Sequence, residues 1–168
     1  MNLKILVHPY TAFMQLPERL ADEYDKFIES ADKIIIFYSP VHESVKNLFY
    51  CLTSIPFEEL SNRNNVVLIP TYSHTGTLPL ESAEKVKEII NESRLEEVIF
   101  AGQTIDFGGA GSCVDGVIRA MNDLVKDESV NFRLVSKLLC SMNGYCRELK
   151  KEMNCSEIYS TNRNIIIC

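Results

Sequence analysis

The sequence predicts a three-layer α/β fold, in which helices cover both faces of a mostly parallel, doubly wound (Rossmann-like) sheet of five to six strands. Short apolar runs alternate with longer amphipathic segments through at least four units, which is typical of a parallel sheet. The run at residues 33–38 is almost continuously apolar, as expected for a strand covered on both faces. The length of 168 residues fits a single domain over 1–168.

Four strands are predicted before residue 102, and each is followed by a segment with helical periodicity. These segments carry apolar residues three or four positions apart, which places them on one face of a helix. Pro17 and Pro40 suit the first turn of a helix because their fixed φ matches that position. The predicted strands are 3–8, 33–38, 66–69 and 97–101, and the predicted helices are 17–30, 39–52, 79–93 and 112–125.

The pattern after residue 130 is less decisive. The apolar residues of 132–140 match both the strand period and the helix period, so both alternatives stay open. Residues 145–153 predict a helix, and residues 158–159 and 165–167 predict short strands. On the fourth predicted helix, Asp115 and Arg119 are four residues apart, and we expect them to pair on its surface.

Composition and charge argue against two classes of partner. The formal net charge is −6, and an acidic chain without a basic stripe lacks the phosphate contacts that supply most nucleic-acid affinity. No apolar run approaches the roughly 18 residues of a membrane span, and the first residues resemble a strand rather than a signal peptide. We therefore expect a cytoplasmic protein with no nucleic-acid or membrane partner. A small α/β domain is also expected to form a homo-oligomer, and the two-fold dimer is the commonest form.

The chain has six cysteines, four of them after residue 139. Their spacing includes no Cys-x-x-Cys pair, so we predict no metal site from them. Free thiols that pack as small apolar side chains are the simplest interpretation, and disulfide bonds are the alternative.

All three histidines follow predicted strands. His8 ends the first, His42 lies in the opening turn after the second, and His74 lies in the loop after the third. Asp106 follows the fourth strand, and Cys113 opens the next helix. Ligands bind outside the carboxyl ends of the strands in such sheets, so we expect these side chains along one working edge. There they suit acid–base chemistry near neutral pH or a divalent metal; ordinary surface or capping histidines are the alternative.

A glycine-rich loop joins the fourth strand to its helix. Gly108, Gly109 and Gly111 let the backbone turn sharply and approach a ligand, and Ser112 stands at the helix start. The N–H groups of a helix N-terminus favour an anion, so we predict that these four residues bind a small anionic molecule. The loop matches neither the dinucleotide fingerprint nor the P-loop lysine pattern, and no cofactor is identified. A tight structural turn with Ser112 as N-cap is the alternative.

Cys113 lies in the first turn of that helix, where the pKa of a thiol tends to fall. A lowered pKa favours the reactive thiolate, and a neighbouring histidine would activate it further. A buried cysteine without a chemical role is the alternative.

Residues from 66 to about 140 resemble the isochorismatase-like cysteine hydrolases. The similar features are a strand ending in a glycine (98–102), a helix that begins Ser112-Cys113-Val114, and a small residue, Ala120, later in that helix. The resemblance implies a nucleophilic role for Cys113 and an oxyanion hole of nearby backbone N–H groups. The sequence departs from the family at two positions: His8 follows the first strand where an Asp is expected, and His74 lies in the third loop where a Lys is expected.

Two functions follow from these patterns. The first is a hydrolase that acts on a small anionic molecule, with Cys113 as nucleophile and Asp106, His8 and His74 as further catalytic groups. The second is a non-catalytic module that binds a nucleotide-like or phosphorylated ligand, or an oligomeric structural subunit.

Overall fold

A computed structural model describes residues 1–10, 18–39, 52–72, 75–107, 112–141, 144–145 and 153–168. Within these ranges the chain alternates strands and helices as far as α4, and it then adds a long strand and a short C-terminal unit. The elements are β1 (Asn2–Val7), α1 (Glu18–Glu29), β2 (Lys33–Tyr38), α2 (Phe57–Ser61), β3 (Val66–Pro70), α3 (Leu80–Asn91), β4 (Glu97–Gly102), α4 (Cys113–Leu124), β5 (Asn131–Ser141), β6 (Gly144–Tyr145), α5 (Cys155–Ile158) and β7 (Ile165–Ile167).

Six strands form one parallel sheet in the order β3-β2-β1-β4-β5-β7. The two-residue strand β6 pairs antiparallel with the end of β5. The chain builds outward from β1 to β3 on one side, and then returns to add β4 and β5 on the other. This arrangement confirms the predicted three-layer α/β class. Its strand order reverses between β1 and β4, where ligand-binding crevices open in such sheets.

The two faces of the sheet bury separate sets of apolar side chains. On one face, alternate strand residues such as Ile5 and Phe37 pack under α3, α4 and the C-terminal segment. On the other face, Leu6 and Ile36 pack under α1 and α2. The alternation follows from the period of two in a strand, and it makes every central strand apolar on both sides.

The loop after β3 packs tightly against the start of α4. A Cβ atom added at Gly76, which has φ 70°, would lie 2.0 Å from the Cys113 carbonyl oxygen. A Cβ atom added at Gly116 would lie 2.2 Å from the Thr75 carbonyl oxygen. Only glycine allows this approach of two backbones, so the loop after β3 and the first turn of α4 hold each other in place.

A buried arginine joins the C-terminal segment to the turn between α4 and β5. Arg163 is 1% exposed. Its Nη1 donates to the carbonyl oxygens of Asp127 (2.6 Å) and Val130 (2.8 Å), and its Nη2 donates to that of Val125 (2.5 Å). Its guanidinium also stacks over the Phe132 ring, 4.6 Å from the ring centre. Burial of a charge requires such partners, and here they hold the segment that precedes β7 against the turn between α4 and β5.

Three local expectations are wrong. Residues 158–159 do not form a strand, because Ile158 ends helix α5. Tyr145 belongs to strand β6 rather than to a helix, and Met153 lies outside any helix. The rest of the predicted helix, 146–152, falls outside the described residues. Asp115 is buried rather than on the surface of α4. The open alternative at 132–140 is resolved as a strand, β5.

Among the described residues, none of the helices is both long enough and apolar enough to cross a membrane. The predicted helix at 39–52 falls almost entirely on residues 40–51, which lie outside the described part of the chain.

We expect the variant Arg163→Met to lower the free energy of unfolding by about 3 kcal/mol, because the buried carbonyl groups of Val125 and Val130 and the carbonyl of Asp127 lose their donor. Urea unfolding measures the change. The matched control is Arg63→Met, which removes only an i,i+4 pair with Glu59. That control should cost less than about 0.5 kcal/mol. Equal losses in the two variants would contradict the anchoring role of Arg163.

Candidate functional site

Buried polar side chains concentrate at the carboxyl edge of the sheet. Nine polar or charged residues of the described part are buried, and five of these nine follow strands β1 to β4 or begin α4. Burial of a polar group costs free energy, so their clustering at one edge marks it as the chemically distinctive part of the fold. The five are His8, Ser39, Thr71, Gln103 and Ser112.

His8 directly follows β1 and has an uncommon backbone conformation. Its φ is 53°, in the left-handed region that residues other than glycine rarely adopt. Its N–H donates to the Phe37 carbonyl (2.8 Å), and its Nε2 lies 2.8 Å from the Thr71 hydroxyl. That hydroxyl also donates to the Tyr38 carbonyl (3.3 Å). Thr71 therefore orients the imidazole of His8 across β2, and the local strain is typical of sites with a function.

Cys113 begins α4, but its thiol points into the fold. The side chain is 1% exposed. Its Sγ lies 3.0 Å from the Thr104 hydroxyl oxygen and 3.6 Å from the Thr104 carbonyl oxygen. Burial raises the pKa of the Cys113 thiol above its ordinary value, although the hydrogen bonds with Thr104 act in the opposite direction. The expectation that the helix start lowers this pKa is wrong, because desolvation outweighs it.

The Thr104 carbonyl oxygen organises the start of α4. It accepts hydrogen bonds from the Val114 N–H (2.9 Å), the Ser112 hydroxyl and the Cys113 thiol. The Ser112 hydroxyl therefore does not cap the helix, although Ser112 occupies the N-cap position. One N–H of the first turn is also satisfied inside the fold, which reduces what this helix start offers to an anion or an oxyanion.

Asp106 lies on the loop after β4 with an exposed side chain. Its backbone N–H donates to Asp115 Oδ2 (2.7 Å), and Asp115 Oδ1 accepts from the Tyr159 hydroxyl (2.5 Å). Burial and the neighbouring Asp115 carboxylate raise the pKa of Tyr159 above its ordinary value. Asp115 thus ties the loop after β4 to the C-terminal segment.

A cavity of about 560 Å³ borders the same helix start, between α3 and α4. This volume suits a small molecule. Hydroxyl groups, one guanidinium and one carboxylate line its polar side, and the apolar side comes from α3, α4 and the segment before α3. The polar lining residues are Thr75, Thr77, Ser112, Arg119 and Asp123, and the apolar ones include Leu78 and Ala83.

The predicted site residues divide into two groups. His8, Asp106, Ser112 and Cys113 are described, and all four follow strands or begin α4 at the carboxyl edge. His42, His74, Gly108, Gly109 and Gly111 lie outside the described residues. The hydrogen bonds join His8 to Thr71 and Cys113 to Thr104, two threonines that the sequence analysis did not select.

The described cysteines are free thiols. Cys113, Cys140 and Cys155 are buried, and Cys168 is exposed. No group of three or more histidine, cysteine or carboxylate side chains suited to a metal occurs within the described ranges.

Comparisons with family models, with curated proteins and with solved structures give no match to this chain.

We expect the free energy of unfolding to fall as the pH rises above about 8.5, the ordinary pKa of a thiol. Burial raises the pKa of Cys113 in the folded state, so in this range the unfolded chain binds fewer protons than the folded chain. The contribution of this thiol to the free energy of unfolding is complete while the pH is below the pKa of Cys113 in the unfolded chain. That contribution is lost as the pH rises towards the higher pKa of Cys113 in the folded protein. In the variant Cys113→Ala, the free energy of unfolding should fall less steeply with pH, by up to about 1.4 kcal/mol per pH unit.

Urea unfolding between pH 7 and pH 10 measures these slopes. Cys140→Ala should change the slope in the same direction, since burial also raises the pKa of that thiol. An unchanged slope in Cys113→Ala would show that this thiol ionises equally in both states.

Proposed function

We propose that the protein binds a small anionic molecule at the carboxyl edge of its sheet. The observation that carries this proposal is the concentration of buried polar side chains there, five of nine in the described part. Fold stability alone gives no reason to collect hydroxyl groups and a histidine at one edge of an otherwise apolar sheet. Binding does, since a pre-formed polar set orients a ligand with little reorganisation.

The chemistry of the edge favours an anion. Hydroxyl and imidazole groups can donate hydrogen bonds to anionic oxygens, and such bonds are about twice as strong as neutral ones. The Thr71 and Ser112 hydroxyls already donate to carbonyls within the fold. The neighbouring cavity adds the guanidinium of Arg119 and the hydroxyls of Thr75 and Thr77, together with the carboxylate of Asp123. Its apolar side, with Leu78 and Ala83, suits a ligand that also has a carbon skeleton. The expected cytoplasmic location and homo-oligomer stay predictions.

Ligand-dependent thermal stabilisation tests the proposal, with inorganic phosphate, acetate and a nucleoside monophosphate as probes. A ligand at 100 times its Kd stabilises the folded state by about 2.7 kcal/mol. Thr71→Val should weaken this stabilisation, because it removes the hydroxyl that orients His8.

The matched control for that experiment is Thr161→Val. Thr161 precedes β7 at the opposite edge, and its hydroxyl donates to Asn122 of α4, so this variant also removes one bonded hydroxyl. It should retain the response to the ligand. Stabilisation by none of the probes, or equal responses in Thr71→Val and Thr161→Val, would argue against binding at the carboxyl edge.

A second candidate is hydrolysis with Cys113 as nucleophile, as the resemblance to the isochorismatase-like cysteine hydrolases implies. The Thr104 hydroxyl, 3.0 Å from Sγ, favours it, because its hydrogen bond with the thiol lowers the pKa of Cys113. The burial of the thiol opposes it, because burial raises this pKa and disfavours the thiolate that would attack a substrate.

For this candidate we expect slow labelling of Cys113 by iodoacetamide in the folded protein, and further slowing in Thr104→Val. Peptide mapping by mass spectrometry separates this cysteine from Cys140, which serves as the internal control. Labelling of Cys113 no faster than that of Cys140, together with no effect of Thr104→Val, would remove the support for a nucleophilic role.

A further inference from the structure

The Ser39 hydroxyl is a buried polar group of the carboxyl edge that the described part of the fold leaves unsatisfied. Ser39 directly follows β2 and is 3% exposed. Within the described residues its Oγ has no hydrogen-bond partner. A buried hydroxyl without a partner keeps the full cost of its desolvation, so native folds rarely retain one without a further role.

The sheet register gives the position of Ser39. Tyr38 pairs with Pro70, and the Thr71 N–H donates to the Tyr38 carbonyl (2.8 Å), so the next pair along the register is Ser39 beside Thr71. In β2, Phe37 faces α3 and α4, and Ser39 follows it on the same face by the alternation of a strand. Ser39 therefore lies one register step beyond the last pair of β2 and β3, beside Thr71, whose hydroxyl contacts His8.

Neighbouring hydroxyls of this edge are satisfied within the fold. The Ser82 hydroxyl donates to the Pro70 carbonyl (2.7 Å), one residue before Thr71. The Thr71 hydroxyl donates to the Tyr38 carbonyl (3.3 Å). Within the described part of the edge, Ser39 is thus the buried hydroxyl that has no partner.

We propose that the Ser39 hydroxyl is a ligand contact, which donates a hydrogen bond to an oxyanion of the molecule bound at this edge. The inference rests on the proposed function and adds a residue and a chemical group to it. Binding would satisfy a donor that the fold leaves open, so the free energy lost on burial is recovered in the complex. The oxyanion is a phosphate or a carboxylate.

The variants Ser39→Ala and Ser82→Ala separate a ligand contact from a structural hydroxyl. Without added anion, Ser39→Ala should melt at the same temperature as the wild type or higher, because it removes an unsatisfied group. Ser82→Ala should melt at a lower temperature, because it leaves the Pro70 carbonyl without its donor. A decrease in Ser39→Ala as large as that in Ser82→Ala would overturn the inference, since the hydroxyl would then be satisfied within the fold.

The same variants are then titrated with inorganic phosphate and, separately, with acetate. We expect one of the two anions to raise the melting temperature of the wild type, and the Kd for that anion to be at least about tenfold weaker in Ser39→Ala. Ser82→Ala should keep the wild-type Kd. If neither anion stabilises the wild type, the proposed function fails and the role of Ser39 fails with it. If the wild type and Ser39→Ala bind equally, only the role of Ser39 fails.

Discussion

The parallel pairing of β1 with β2 on one side and β4 on the other is the constraint on which the rest of the structure depends. Val7 pairs with Phe37 and with Gly102, so three strands end at one level. A Cβ atom added at Gly102 would lie 2.7 Å from the Val7 carbonyl oxygen, and the absence of a side chain there keeps the strands close. His8 and Gln103, which follow these strands, are thereby fixed at the point where the strand order reverses.

Packing and polar chemistry are separated along the strands. The bodies of the central strands are apolar on both faces, whereas the residues that directly follow β1 to β4 are polar and still buried. The Thr104 carbonyl binds the start of α4, the Thr71 hydroxyl contacts His8, and the Asp115 carboxylate binds the Asp106 N–H and the Tyr159 hydroxyl. These hydrogen bonds hold the loops of the edge in place, which gives a binding site the fixed geometry that it needs.

The sequence predicted the fold class and the edge because both follow from local patterns. An apolar run such as residues 33–38 identifies a buried strand, and the residue that ends such a run must lie at an edge. Other features depend on partners distant in sequence. The helical spacing of Asp115 suggested a surface pair with Arg119, yet the carboxylate is buried against Tyr159, 44 residues away. Likewise, the position of Cys113 in a first turn predicted a lowered pKa, but the neighbouring core decides its burial. Thr71 and Thr104 carry no local signal, since their role is set by which side chain the sheet brings beside them.

The central claim is that the carboxyl edge of the sheet binds an anion, and backbone amide chemical shifts test it most directly. In a titration with inorganic phosphate or acetate, we predict saturable shifts for His8, Ser39, Thr71 and Thr104. The amides of Thr161 and Arg163, which precede β7 at the opposite edge, should not move. Shifts confined to that opposite edge, or no saturable shift with either anion, would contradict the account.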